Sequence, residues 1–208
     1  MPVEYFHVVF TLPQQIARLA LHNARRIYSI LFRAVAETLL TIATDPQHLG
    51  AAIGFLAVLH TWGQTLHLHP HIHCVVPGGG ISPDNSRWIP CRRSFFLPVK
   101  VLSRFFRKRF LIHLRKAFQK GKLQFHGELE SLAQPAAFDA LCRKAGQMEW
   151  VVYTKRPFGG PEQVLKYLAR YTHRVAISNQ RLLSLADGRV TFEWKDLYGQ
   201  SLPVMRAG

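Results

Sequence analysis

His71 and His73 stand two residues apart in the stretch HLHPHIHCVVPGGG, residues 67 to 80. On an extended strand residues i and i+2 share a face, so two imidazoles there can reach one divalent ion while Ile72 turns into the core. The setting is rich in this chemistry, since five of the eleven histidines, at 60, 67, 69, 71 and 73, fall within fourteen residues. About ninety residues on, Tyr167 and Tyr171 lie four apart in KYLARYTHR, so on a helix both hydroxyls leave one face, one turn from each other. Each pair alone also fits a plainer reading, as solvent-facing or core histidines and as half-buried helix tyrosines. Taken together they describe something more specific. A phenol titrates near 10, so at neutral pH it attacks only where cations favour the phenolate and absorb charge on the attacked group. Lys166, Arg170, His173 and Arg174 share the tyrosine segment and make poor core but good phosphate contacts. This set of side chains suits cleavage of a phosphodiester by transesterification, with the bond energy kept as phosphotyrosine.

The charge points to the same class of partner. The 208 residues carry 27 Lys and Arg against 12 Asp and Glu, a net charge of +15. Between Asp84 and Glu128 there is no acid, while twelve Lys and Arg fall there, nine of them from Lys100 to Lys122. Solvated faces usually mix signs, so a field of one sign indicates a polyanion, with nucleic acid first. No eighteen apolar residues run uninterrupted, and MPVEYFHVVFTLP lacks the pattern of a signal peptide. The expectation is a soluble cytoplasmic, nucleoid-associated protein with no membrane partner. Cys74, Cys91 and Cys142 are widely spaced with no CxxC, which predicts reduced thiols rather than disulfides or a cysteine zinc site.

The elements that must hold these groups can be outlined. VEYFHVVFTL alternates as a strand stopped by Pro13, and a helical stripe follows from Gln14 to about Ala43, ended by Asp45-Pro46. IGFLAVLHTWGQTL and HIHCVVPGGG read as two strands, the first apolar enough to predict a central place in a sheet. Pro70 is expected to set the entry to the second, and PGGG to end it. From Leu102 the apolar positions line one face of a basic helix ending near Gly121, with Arg104, Arg107 and Lys108 elsewhere around it. EWVVYTK predicts a strand, GGPEQVLKYLARYTH a helix, VAIS a strand, and RLLSLADGRVTFEW a hairpin turning at Asp187-Gly188. Strands and helices interleave without a βαβ period. The fold class is therefore α+β, a mostly antiparallel central sheet with helices packed on it, in one domain spanning 1–208 with a basic helical insertion at about 98–147.

HPHIHCVVPGGG followed by YLARYTHRVAISN resembles the HUH superfamily of single-strand endonucleases, and more narrowly its two-tyrosine transposases of rolling-circle insertion sequences, the insertion-sequence ninety-one type. The likeness runs on through YFHVVFTLP, GFLAVLHTWGQTL, FFLPVKVLSRFFR, EWVVYTK and FGGPEQVLKYLARYTHRVAISN. It implies that His71 and His73 are metal ligands, that Tyr167 and Tyr171 are nucleophiles, and that the histidine strand is central. It implies Mg²⁺ or Mn²⁺ as the cofactor, although imidazole also suits Zn²⁺ or Ni²⁺. A third polar ligand completes such sites; Gln64 is the first candidate by position, with His67 and His69 as competitors. The resemblance further implies nicking and rejoining of single-stranded DNA at transposon ends and target through 5′-phosphotyrosine. Lys166, Arg170 and Arg174 would hold phosphates beside the site, and Arg104, Arg107 and Lys108 would grip DNA at a distance.

One departure stands out: such transposases usually carry a cysteine-rich zinc-binding segment before the first strand and more chain after the last, and neither is found here, as in a truncated copy. Other readings are a remnant that only binds DNA, a replication initiator or relaxase of the same superfamily, and a histidine-rich metal-binding module unrelated to DNA. Oligomeric state, target sequence and the order in which the tyrosines act are not legible.

Overall fold

Alternation in YFHVVFT gives the first strand, β1 (Tyr5–Thr11), which buries Phe6, Val8 and Phe10 on one face. The computed structural model describes residues 3–62, 67–92, 96–158, 182–186, 189–195 and 201–207. After Pro13 the expected long helix is interrupted. A short α1 (Gln14–Ala17) precedes α2 (Ala20–Thr44), and α2 is itself kinked where Asn23 leaves helical geometry at φ −129°, ψ 29°. The cause is local competition for the backbone. The Asn23 amide donates to the carbonyls of Leu19 and Gln124 at 3.1 and 2.8 Å, and its oxygen accepts from the Gln124 N–H at 2.7 Å. Asp45 is extended ahead of Pro46 and ends the helix. By length and composition α2 could cross a membrane, but Ile27, Leu31, Val35 and Leu39 are buried in the core.

Next come β2 (Leu56–Trp62), β3 (Leu68–Pro77), the short pair β4 (Gly79–Ile81) and β5 (Trp88–Pro90), and α3 (Val99–Gln119). A 3₁₀ turn (Gly127–Ala133), α4 (Pro135–Gln147) and β6 (Val152–Phe158) follow. β7 (Leu182–Ala186) and β8 (Arg189–Lys195) pair as the predicted hairpin, and β9 (Ser201–Ala207) adds a third strand to that sheet. The VAIS strand and the helix expected over GGPEQVLKYLARYTH, residues 159 to 173, fall outside the described residues.

The sheet that matters here is antiparallel, in the order β2-β3-β1-β6. The histidine strand is interior, but β2 stands at the edge of this sheet among the described residues rather than at its centre. Its apolar run covers the core on one side and leaves Leu56 and Trp62 exposed on the other, so an apolar run did not mean burial on both faces. β3 also starts two residues before Pro70, whose carbonyl accepts from the Leu12 N–H at 3.1 Å. The glycines after Pro77 continue into β4 instead of ending in a simple turn. A Cβ on Gly79 would lie 2.6 Å from the Ile89 carbonyl oxygen, and one on Gly80 2.4 Å from that of Ala52.

One sheet face and the helices close the core: Phe6, Val8, Phe10, Ile72, Cys74 and Val76 pack in one cluster with Ile27, Leu31, Phe106 and Phe110. Phe10 meets Phe106 edge to face, ring centres 5.1 Å apart, and such rings each contribute about 1.5–3 kcal/mol by burial. The opposite sheet face is left for other work.

Candidate metal centre

Strand register decides which side chains meet on that second face. Val9 pairs with His73 and Thr11 with His71 across β1 and β3, while His60 pairs with His71 across β2 and β3. Because alternate residues share a face, His7, His60, His71 and His73 emerge together, opposite Ile72 and Cys74. Ligand-capable nitrogens of His60, His71 and His73 lie within 4.8 Å of one another. Imidazole nitrogens on a common ion about 2.1 Å away stand about 3 to 4 Å apart, so small side-chain rotations would let these three hold one ion. The donor set fits a borderline divalent cation and leaves coordination positions open for a phosphate oxygen and water.

Hydrogen bonds fix the rings that would bind. His71 Nδ1–H donates to the His69 carbonyl at 2.6 Å, which directs the Nε2 lone pair of His71 outward. His73 Nδ1 lies 2.7 Å from His7 Nε2, and the two rings are within 9° of parallel. Were His73 to hold a cation through Nε2, its Nδ1–H would donate to His7. Burial lowers the pKa of His71 and His69. Burial, then the neighbouring Lys155 and His71, holds His7 down to about 4. Neutral imidazoles at physiological pH are the form that metal binding requires.

The edge strand β6 adds to the same face. Lys155 stands in register with His7, and Tyr153, 53% exposed, with Val9. An aromatic and a cation thus flank the histidines at the solvent side, groups suited to a nucleobase and a phosphate.

The sequence-derived candidates are distributed unevenly over this geometry. His71 and His73 come together as the spacing suggested. Gln64, Lys166, Tyr167, Arg170, Tyr171 and Arg174 lie outside the described residues. His69 is exposed and contributes its carbonyl to His71, while His67 is exposed at the start of β3. Arg104 and Lys108 are exposed on α3, a helix packed against the core face of the sheet and so remote from the histidines. Arg107 is half-buried and donates to the Met148 carbonyl, an engagement with the end of α4. His60, His7, Tyr153 and Lys155 had no assigned role from sequence. The signal for His7 was present in the alternation of YFHVVFT, but His60 needed the register of two strands.

Comparison with known proteins bears on the class of activity. The Y2_Tnp family, described as "Putative transposase", matches residues 54–206, a span that includes His60, His71, His73 and both tyrosines. The chain is 61% identical over 196 residues to "Putative transposase y4qJ" of Sinorhizobium fredii, covering 94% of this chain and 49% of that protein. It is 26% identical over 185 residues to the transposase for insertion sequence element IS801 of Pseudomonas savastanoi pv. phaseolicola, covering 88% and 42%. The chain thus spans about half the length of the curated relatives it matches. Among solved structures, the relaxase TrwC complexed with a 27-mer DNA aligns at TM-score 0.41 and 14% identity over 84% of this chain and 61% of that one. A metal-bound TrwC structure aligns at TM-score 0.40 and 12% identity over 67% and 68%.

Proposed function

The chain belongs to the Y2_Tnp family of transposases, and from that premise we propose that it carries the strand-nicking and rejoining centre of a rolling-circle, two-tyrosine transposase of the HUH type. The observation that supports this most is the convergence of His60, His71 and His73 on the open face of the sheet. In this reading His60 takes the third ligand position for which Gln64 was the first candidate. The cofactor is Mg²⁺ or Mn²⁺, and the ion's contribution is to polarise the scissile phosphate and stabilise charge on the attacked group.

The chain's own residues do the rest. Either Tyr167 or Tyr171 attacks phosphorus through its hydroxyl, the 3′ oxygen leaves, and the products are a 5′-phosphotyrosine and a free 3′-OH. The other tyrosine takes a second strand, so rejoining needs no ATP. Lys166, Arg170 and Arg174 hold flanking phosphates, and Lys155 holds one at the β6 side of the histidines. The neutral His7 keeps the ring of His73 oriented. The substrate is single-stranded DNA at transposon ends and target, met in the cytoplasm at the nucleoid.

The test is a covalent adduct assay with labelled single-stranded DNA carrying the transposon end and Mn²⁺. A protein-linked 5′ product is expected, lost when Tyr167 and Tyr171 are both changed to Phe and when His60, His71 or His73 is changed to Ala. An adduct that survives loss of both tyrosines would overturn the assignment. Salt-sensitive DNA binding with no adduct under any metal would favour a remnant that only binds DNA.

A further inference from the structure

We infer that the molecule has a second DNA-backbone site, a basic groove between the N-terminal half of α2 and the C-terminal end of α3, on the side of the sheet away from the histidines. The inference rests on the nucleic-acid reading above but not on its catalytic residues. A cavity of about 640 Å³ opens at the α2 kink, lined by Arg25, Arg26, Ser29, Lys122 and Gln124 among others. A second, of about 260 Å³, shares Arg26, Ser29 and Lys122 and continues along Arg33, Lys116 and Lys120. No carboxylate lines either cavity.

That absence contrasts with the rest of the same helix pair. At the far end of the second cavity Glu37 is ion-paired to Arg33 and Arg109 and bonded to His113, both Arg33 and His113 lining that cavity, so the positive lining is answered at that end only. In the groove, Arg25, Arg26, Lys116, Lys120 and Lys122 make no ion pair among the described residues. Lys116 and Lys120 are also like charges one helical turn apart, an arrangement that costs stability unless an anion answers it. The walls are held in place, since Asn23 clamps the backbone of Gln124 to the kink from both sides. Fixed walls, unpaired cations, and the Ser29 hydroxyl make a cradle for phosphate oxygens.

Length argues for a polymer rather than a small anion. From Arg25 to Arg33 the helix rises about 12 Å, over which one DNA strand presents about three or four phosphates. The ligand is therefore the phosphodiester backbone of DNA, either a further length of the nicked strand or the duplex beside it.

The experiment measures binding of a 30-nucleotide single strand and of a 30-base-pair duplex by fluorescence anisotropy over a salt series. It compares the whole chain with an Arg26→Ala, Lys120→Ala, Lys122→Ala variant. A charge-matched control, Arg92→Ala, Lys100→Ala, Lys144→Ala, removes three exposed cations elsewhere. The groove variant should bind at least about tenfold more weakly in one arm or both, and its salt slope should fall by about 2 to 3, at about 0.7 to 0.9 per phosphate contact. The arm that weakens identifies the source of the backbone. Equal affinity and slope in both arms, or an equal loss in the control, would overturn the groove while leaving the nucleic-acid reading intact. Failure of the unaltered chain to bind either oligonucleotide would instead overturn that reading. On the unaltered chain, DNA should also protect Lys120 and Lys122 from acetylation, and unprotected lysines alongside intact DNA binding would count against the groove.

Discussion

At the scale of single residues, the pairing of His73 with His7 matters more than the place of His7 outside the candidate set of His60, His71 and His73 suggests. A ligating imidazole whose other nitrogen is held keeps one tautomer and one orientation, and losing such a partner typically weakens metal binding about 10- to 100-fold. The 2.7 Å contact makes His7 that partner. Changing His7 to Ala should lower Mn²⁺ or Zn²⁺ affinity by that factor in calorimetric titration while a His71→Ala, His73→Ala protein loses binding altogether. An affinity unchanged by His7→Ala would show that the contact orients nothing. The contrast between His71 and His60 explains what could be read beforehand. Two histidines two apart on one strand advertise a shared face, because the period of a strand is local. His60 joins them through its register opposite His71, and register is set by pairing and by the connection between strands, neither of which is written in HLHP.

At the scale of elements, α2 and α3 are joined through one carboxylate. Burial pushes the Glu37 pKa up, but hydrogen bonds from Arg109, His113 and Arg33 outweigh it and hold the group at about 2. A carboxylate depressed on folding contributes stability that is complete above its unfolded value of about 4.5 and fades as pH falls toward 2. Glu37→Gln should therefore cost about 1–2 kcal/mol near neutrality, in denaturant melts, with the difference shrinking below pH 4.5. A variant equally destabilised at pH 7 and pH 3 would mean that packing, not charge, carries the effect. Much of α3 was legible: of the apolar stripe read from Leu102 onward, Leu102, Phe106, Phe110, Leu114 and Ala117 are buried, while Phe105 and Phe118 are half-buried against the same core. The kink at Asn23 was not, since its cause is a side chain reaching the backbone of a residue 101 positions away. The edge place of β2 was likewise hidden, because an apolar strand looks the same whether its second face meets protein or solvent.

At the scale of the whole molecule, the sheet separates two chemistries, histidines on one face and helices carrying cations without ion pairs among the described residues on the other, and the histidine face makes stability depend on pH. The chain holds eleven histidines and a net charge of +15 before any of them is protonated. His7 is 6% exposed and held to about 4, and burial lowers His69 and His71 as well. Their folded values lie below the 6.5 at which the unfolded forms titrate, His7 furthest. Below pH 6.5 the unfolded chain therefore binds protons that the folded chain refuses, so stability falls with pH until about 4. His7 alone accounts for about 2 kcal/mol between pH 7 and 4.5, which for a chain of this size is about 4 to 8 °C in Tm. Thermal melts over that interval should show the loss, and His7→Phe should remove part of it. The window distinguishes this from the carboxylate effect, which begins where the histidine effect is nearly complete. A saturating divalent ion should raise Tm at pH 7, because it binds the folded chain and not the unfolded one. A Tm that stays level from pH 7 to 4.5 would mean that the folded and unfolded chains take up protons alike, and that burial does not hold these histidines neutral.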